Sequence, residues 1–343
     1  PFRVTKPIEG GKLSEKLPLK FRKTLGSLTE GNSEFGVPEV RDLYERDPRF
    51  TSTFRKDNGT WVDVEKTGKK NVYKYGSFRR KSDSKTIQRY KCLVCNNTFS
   101  TAYKDPAYRQ KKRRLNYKIK TMLSSLCSMR RIALTLNTTR VTVARKLEFL
   151  GKKALVEHQK MIRLQGIQNT EVQFDELQTI EHTKCKPLAV AVAVSKQTRQ
   201  LLGFSVSRMP ATGHLSKIAY KKYGYRPDCR RDGLRSLFTQ IKPSIGQKTT
   251  FHSDQHPYYK PLLKHYYPSS TYVQSKGSKS SIAGQGELKK HYKDPLYAIN
   301  HTLAMLMANI NRLIRRTWCT TKDPTRLVYH LAIYMKFHNT RLI

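Results

Sequence analysis

The run Val172-Gln173-Phe174-Asp175-Glu176-Leu177-Gln178-Thr179-Ile180 has the composition of a β-strand and carries two carboxylates in its middle. A carboxylate in a strand is costly to desolvate unless a positive charge offsets the cost. That charge is either an Arg or Lys partner or a hard divalent cation, which takes oxygen ligands. Any fold of this chain must bring one of them to this strand. Acids are scarce, 25 Asp and Glu against 67 Lys and Arg. A further acid ends a second β-type segment, Thr250-Phe251-His252-Ser253-Asp254. An acid picked at random here is expected to pair with a basic side chain. Two strand-borne acids in so basic a chain point instead to a metal site that works on a polyanion.

The polyanion is suggested by charge. A formal +42 and a pI near 10.2 exceed what solubility needs and attract nucleic acid, with an affinity that falls steeply with salt. Apolar strand runs such as Leu188-Ala-Val-Ala-Val-Ala-Val194 argue against a ribosomal extension, the bland reading of a basic protein. No stretch approaches the roughly 20 apolar residues of a membrane span, and no signal-peptide pattern is read. Of six cysteines in 343 residues only Cys92 and Cys95 are spaced as a pair. This usage fits a reducing cytosol, so a cytoplasmic protein is expected, with no membrane partner.

The chain divides by pattern. Residues 1–60, rich in Gly, Pro, Lys and Glu, read as an extended arm. Residues 61–103 alternate as short strands around Cys92-Leu-Val-Cys95 and form a small β module. Residues 104–165 turn helical; between 104 and 160 stand 16 Lys and Arg against Asp105, Glu148 and Glu157, a net of +13. Leu126, Met129, Ile132, Ala133 and Leu136 fit one helical face, and Val143, Leu147 and Leu150 another. Asn137-Thr138-Thr139 supplies a turn and an N-cap between them, so the pattern is a helix-turn-helix with its second helix starting near Arg140. Residues 166–343 form a mixed α/β domain. Strands are expected at 171–180, 187–195, 200–208, 248–254 and 270–275, and helices at 231–242, 257–266 and 295–317. The last helix starts with Asp294 as N-cap and Pro295 at its first position, and its stripe Leu296, Ile299, Leu303, Leu306, Ile310, Leu313 faces a core.

Asp175 and Asp254 can converge on one Mg²⁺ or a pair of them if the first and fourth strands are neighbours, and two metals clamp the attacking and leaving oxygens of a phosphodiester. Glu287, 33 positions after Asp254, is the best third acid by spacing. Glu176 points to the opposite face of its strand from Asp175, which makes it structural. His252 and His256 flank Asp254 as supporting or DNA-contacting groups.

These residues carry a family resemblance. Asp175-Glu176-Leu177 in its strand, His252-Ser-Asp254-Gln-His-Pro-Tyr-Tyr-Lys-Pro-Leu-Leu263 and Asn309-Ile-Asn-Arg-Leu-Ile-Arg-Arg-Thr317 resemble the successive blocks of bacterial insertion-sequence transposases of the DDE type, nearest the insertion-sequence-one type. The likeness covers roughly residues 70 to 340. It implies a ribonuclease-H-like catalytic domain preceded by a zinc-ribbon-like module and a helix-turn-helix. It also implies Mg²⁺ (or Mn²⁺)-dependent cleavage at element ends, and strand transfer into target DNA. Two positions depart from the family. Its third Glu falls on Asn300, beside His301, leaving Glu287 or an incomplete site. The ribbon needs two Cys pairs, and Cys92 and Cys95 supply half of the four ligands of a structural Zn²⁺.

For double-stranded DNA the candidate contacts are Lys111, Lys112, Arg113 and Arg114 as a phosphate clamp, Arg130 and Arg131, and Arg140, Thr142, Arg145 and Lys146 at the start of the second helix. Arg312, Arg315 and Arg316 of the final helix would hold DNA backbone. Joining two ends implies a homodimer or higher assembly on DNA, in the bacterial nucleoid. The runner-up is a transposase-derived DNA-binding regulator without catalysis; a structure-selective nuclease is a third reading.

Overall fold

A computed structural model describes residues 53–55, 61–63, 72–93, 96–166, 169–275, 294–316 and 318–342. The architecture is mixed α/β around a five-stranded mixed sheet. Its strands are β6 (Asn169–Ile180), β7 (Pro187–Ser195), β8 (Leu201–Arg208), β9 (Ile245–Ser253) and β10 (Thr271–Gln274), in the order β10-β9-β6-β7-β8. The first three form an antiparallel meander, while β9 runs parallel to β6 and β10 parallel to β9. All five strands lie within a few residues of the expected positions.

β7 is the sheet's most buried strand, and its Val/Ala alternation follows from that. Val190, Val192 and Val194 enter one core with helices of one layer, and Ala191 and Ala193 the core on the other face. The second core is aromatic. Phe174 meets Phe238 at 5.4 Å and Tyr259 at 5.1 Å between centroids, and Phe251 meets Tyr267 at 4.9 Å. Each such pair adds about 0.5–1.5 kcal/mol beyond its buried area.

Ahead of the sheet lie two small β units. β1 (Thr53–Arg55) pairs with β2 (Trp61–Asp63), so a hairpin crosses the boundary expected at residue 60; the rest of the arm lies outside the described residues. β3 (Val72–Arg79), β4 (Thr86–Cys92) and β5 (Thr98–Ser100) make a three-stranded antiparallel sheet, as expected of the 61–103 module. Cys92 is half-buried at the end of β4, and Cys95 lies outside the described residues.

Then come α1 (Leu115–Leu123), α2 (Met129–Thr135) and α3 (Arg140–Gln165). Ser128 caps α2 by accepting from Arg131 N–H at 3.2 Å, and Thr139 caps α3 by accepting from Thr142 N–H at 3.2 Å. The turn and the start at Arg140 are as expected. Leu126 is not on the helical face: it sits in the α1–α2 turn, 43 % exposed, with its N–H donating to Asn309 O. α3 is also long, 26 residues, and buried residues run along it from Val143 to Ile162. Ile119, Val143, Leu147, Leu150, Ala154 and Leu155 belong to the same core as Leu188, Val190 and Leu331, so among the described residues one core spans the boundary expected at residue 165.

Past β8 come α4 (Leu215–Tyr223) and α5 (Arg230–Ile241), past β9 α6 (Tyr259–Tyr266), and past β10 α7 (Tyr297–Asn309) and α8 (Pro324–Arg341). The stripe from Leu296 to Leu313 is buried throughout, but the helix expected at 295–317 ends at Asn309. Ile310 takes φ −109° and ψ 100°, and only a short 3₁₀ turn follows. α4 and α8 were not expected. None of the helices in the described residues is long and apolar enough to cross a membrane.

Candidate active site

β6 and β9 are parallel neighbours with Gln173 opposite His252. Asp175 lies two residues further along β6 and Asp254 directly follows the end of β9; continuing that register, with adjacent strands about 4.8 Å apart, brings the two acids to one face, and the Asp254 charge is felt at the Asp175 carboxyl. α7 covers this face, because the Gln173 amide donates to Pro295 O at 2.7 Å and accepts from Ile299 N–H at 2.9 Å. The Asp175 carboxylate accepts from Glu176 N–H at 2.7 Å. Asp254 accepts from His256 N–H at 3.2 Å, and Ser253 Oγ donates to the Asp254 carbonyl at 2.8 Å. Burial, with Asp254 nearby, pushes the Asp175 carboxyl up to about 6. Among the described residues no Lys or Arg forms an ion pair with either acid.

Glu176 is the acid that follows Asp175 in β6. It does point to the other face, where Tyr258 Oη donates to its carboxylate at 2.7 Å. Burial pushes its carboxyl up to about 7, with Asp175 and Asp228 adding and Arg230 opposing. The Arg230 guanidinium lies 5.5 Å from the Tyr258 ring centre and grips Asp228 through two nitrogens, at 2.9 and 2.6 Å. The His256 ring packs on Tyr258 at 4.0 Å, and burial holds its imidazole below the usual range. The residues missed in the sequence are thus Tyr258, Arg230 and Asp228. The signal for the first was the aromatic pair four residues after Asp254.

Asp175 and Asp254 fit a divalent cation: both offer hard oxygen donors, and burial together with Asp254 disfavours the charged form of Asp175. Among the described residues no group of three or more His, Cys, Asp or Glu could hold a metal ion, and Glu287 lies outside them. Asn300 is exposed on α7 and donates to Asp294 at 2.9 Å. A groove of about 510 Å³ opens on the same side of the sheet, lined among others by Gln173, Lys196, Arg199, His252 and Tyr297.

The basic residues divide. Lys111, Lys112, Arg114, Arg130, Arg131, Arg140 and Arg145 are exposed, Thr142 is half-buried, and Arg315 and Arg316 are exposed. Three expected DNA contacts are instead buried. Arg113 pairs with Asp105 at 2.9 Å. Lys146 donates to Lys111 O at 2.9 Å, and burial beside Arg113 brings its ammonium down to about 8. Arg312 donates to Thr321 Oγ1 at 3.3 Å, and burial lowers it to about 10. None of the three has its charge turned to solvent.

No protein-family model and no curated protein matches this chain.

Proposed function

We propose that the chain is a metal-dependent DNA transposase that binds insertion-sequence ends, cuts there and joins the ends to target DNA. The observation that carries this is the register placing Asp175 beside Asp254 with no basic side chain to neutralise them among the described residues. The order β10-β9-β6-β7-β8, with an antiparallel meander followed by two parallel strands, supports a ribonuclease-H-like domain. In this reading Asp175 and Asp254 hold Mg²⁺ or Mn²⁺, with Glu287 as third ligand; the bound cation would stabilise charge on the oxygens exchanged at phosphorus.

The protein's own groups do the rest. Gln173 pins α7 over the acid face, and Glu176, held by Tyr258, sets the position of the neighbouring Asp175 backbone. α2 and α3 with their capped turn act as a helix-turn-helix. Arg140 and Arg145 meet the duplex, and the exposed Val141, at 59 %, is placed for an apolar contact with a thymine methyl. Lys111, Lys112 and Arg114 contact phosphates. Cys92 and Cys95 would give a zinc-ribbon-like module two of four zinc ligands. The active species is a dimer or larger assembly on DNA, in the bacterial cytoplasm.

Strand transfer with duplexes carrying the terminal sequences of the encoding element tests this. Product is expected with Mg²⁺ or Mn²⁺ and is expected to fall by at least about 1000-fold in Asp175→Ala and Asp254→Ala. Undiminished product in either variant removes the acid pair from the chemistry. The position of Asn300, engaged with Asp294 where the family carries its third Glu, favours one second reading, a non-catalytic DNA-binding regulator. Tight binding to end DNA without cleavage in either metal would establish that reading.

A further inference from the structure

The three-stranded sheet of β3, β4 and β5 carries an aromatic and cationic face that the proposed chemistry does not use. Tyr73, Tyr75 and Phe78 are 41, 45 and 41 % exposed, although large rings normally hide. Strict strand alternation would send Tyr75 and Phe78 to opposite faces. Gly76 prevents this. It adopts φ +73°, a conformation that favours glycine, at the irregularity between Lys74 and Ser77. Tyr73 then stands opposite Lys91 and Phe78 opposite Ile87, and those two partners share a face of β4. All three rings therefore project from one side.

Charge accompanies them. The Arg89 guanidinium lies 5.6 Å and the Lys91 ammonium 5.8 Å from the centre of the Tyr75 ring. Tyr73 and Tyr75 meet edge to face at 6.2 Å, so the two rings present differently oriented surfaces. From Val72 to Ser100 the sequence holds seven Lys and Arg against Asp83 alone, and Asp83 is paired with Arg80. Rings with cations beside them and hardly an acid nearby suit a ligand that has flat π-faces and regularly spaced negative charge. A closed duplex buries its base faces, and a lipid surface has no π-faces to offer. Unpaired bases on a phosphate backbone have both, and they stack on aromatic side chains whatever their sequence.

We infer that this face of β3 and β4 binds single-stranded DNA, with Tyr73, Tyr75 and Phe78 stacking on bases and Arg89 and Lys91 contacting the flanking phosphates. The site is separate from the acid pair and stands whether or not the chain is catalytic. In a DNA-cutting protein it would take a strand unpaired at an opened end.

The whole chain is titrated, without added divalent metal, with a single strand of roughly 15 nucleotides carrying 2-aminopurine, and with the matching duplex. Stacking quenches the fluorescent base, a readout that simple charge attraction does not give. Tyr73→Ala with Tyr75→Ala is expected to weaken single-strand binding roughly ten-fold or more and to abolish the quench. Duplex binding should change by less than about two-fold, since the helical region carries it. Tyr73→Phe with Tyr75→Phe should behave as the parent, and Arg89→Gln with Lys91→Gln should weaken binding while leaving residual quench. Equal losses for single strand and duplex would overturn the inference, as would an unchanged quench in the alanine variant. Leucine replacing the tyrosines without loss would reveal a merely apolar contact and overturn it too. An RNA strand of the same sequence is titrated alongside, and binding to it without binding to the DNA strand would overturn the inference.

Discussion

Asp175 and Glu176 are adjacent, face opposite sides of one strand, and are both held more protonated than a free carboxyl. Folding lifts Asp175 from 3.8 to about 6 and Glu176 from 4.5 to about 7. Between those limits the folded chain holds protons that the unfolded chain has released. The stability this gives is complete below about pH 4 and is lost as pH rises through about 6 and then 7. The loss is at most about 3 kcal/mol for each group at 1.36 kcal/mol per pH unit. At pH 7.5 the site therefore works against the fold unless a cation is bound. Asp175→Asn keeps the shape and an oxygen acceptor for Glu176 N–H while removing one charge. Urea unfolding should show the variant about 1–3 kcal/mol more stable than the parent at pH 7.5, with the difference vanishing near pH 4. Mg²⁺ should raise the parent's midpoint and leave the variant's unmoved. A variant less stable than the parent at pH 7.5 would mean that Asp175 is not under this strain. Asp175 and Asp254 were legible in the sequence because acids in β-type segments of a basic chain stand out. Arg113, Lys146 and Arg312 were not. Two of them satisfy their charge on a carbonyl or hydroxyl brought in from elsewhere in the chain, and nothing in a run of Lys and Arg marks which members turn inward.

At the scale of elements, alternation located the strands and a stripe located α7, because each has a face that differs from its opposite. α8 has no such contrast. Leu327 to Met335 is buried residue after residue, including His330 and Tyr334, so polar and apolar positions carry no period. His330 donates to Leu123 O at 2.7 Å and His338 to Arg199 O at 3.1 Å, which makes polar residues acceptable in the interior. Its only local signals were the cap Asp323, accepting from Thr325 N–H at 2.9 Å, and Pro324. The contact of α8 with α3 depends on Gly151. A Cβ there would lie 2.3 Å from the Cβ of Tyr329 and 2.7 Å from its Cα, backbone that cannot swing aside. In an exposed helix Gly→Ala gains about 1 kcal/mol. Here overpacking should outweigh that gain, and Gly151→Ala should lose about 2 kcal/mol by urea unfolding. An unchanged or higher midpoint would show that the two helices can part at no cost.

At the scale of the molecule, the helical segment that presents Arg140 and Arg145 is built into the sheet layer. α3, at about 1.5 Å per residue, is a rod about 39 Å long. Arg140, Val141 and Arg145 near its start are exposed, whereas Leu155 and Ile162 are buried, and His158 donates to Leu202 O of β8 at 2.8 Å. Glu157 pairs with Lys336 of α8, and the Lys152 ammonium lies 5.9 Å from the Tyr329 ring centre. The sequence divided the chain at residue 165 because the residue pattern changes there, but pattern reports local periodicity and not which faces meet. Leu147, Leu150, Ala154 and Leu155 share a core with Leu188, Val190 and Leu331, which a fragment of residues 104–166 would leave exposed. Such a fragment keeps the caps and helix propensity of α1, α2 and α3 but loses the apolar partners from which most helical stability comes. It should show partial helix by circular dichroism, no cooperative thermal transition, and binding of a dye that reports exposed apolar surface. The chain from 104 to 342 should melt in one transition. A sharp melt of the short fragment would make it a freestanding unit. A single melt of the longer chain instead ties the orientation of Arg140 and Arg145 to the sheet that bears Asp175, so that, under the proposed function, DNA held at the start of α3 would lie at a fixed distance from the acids.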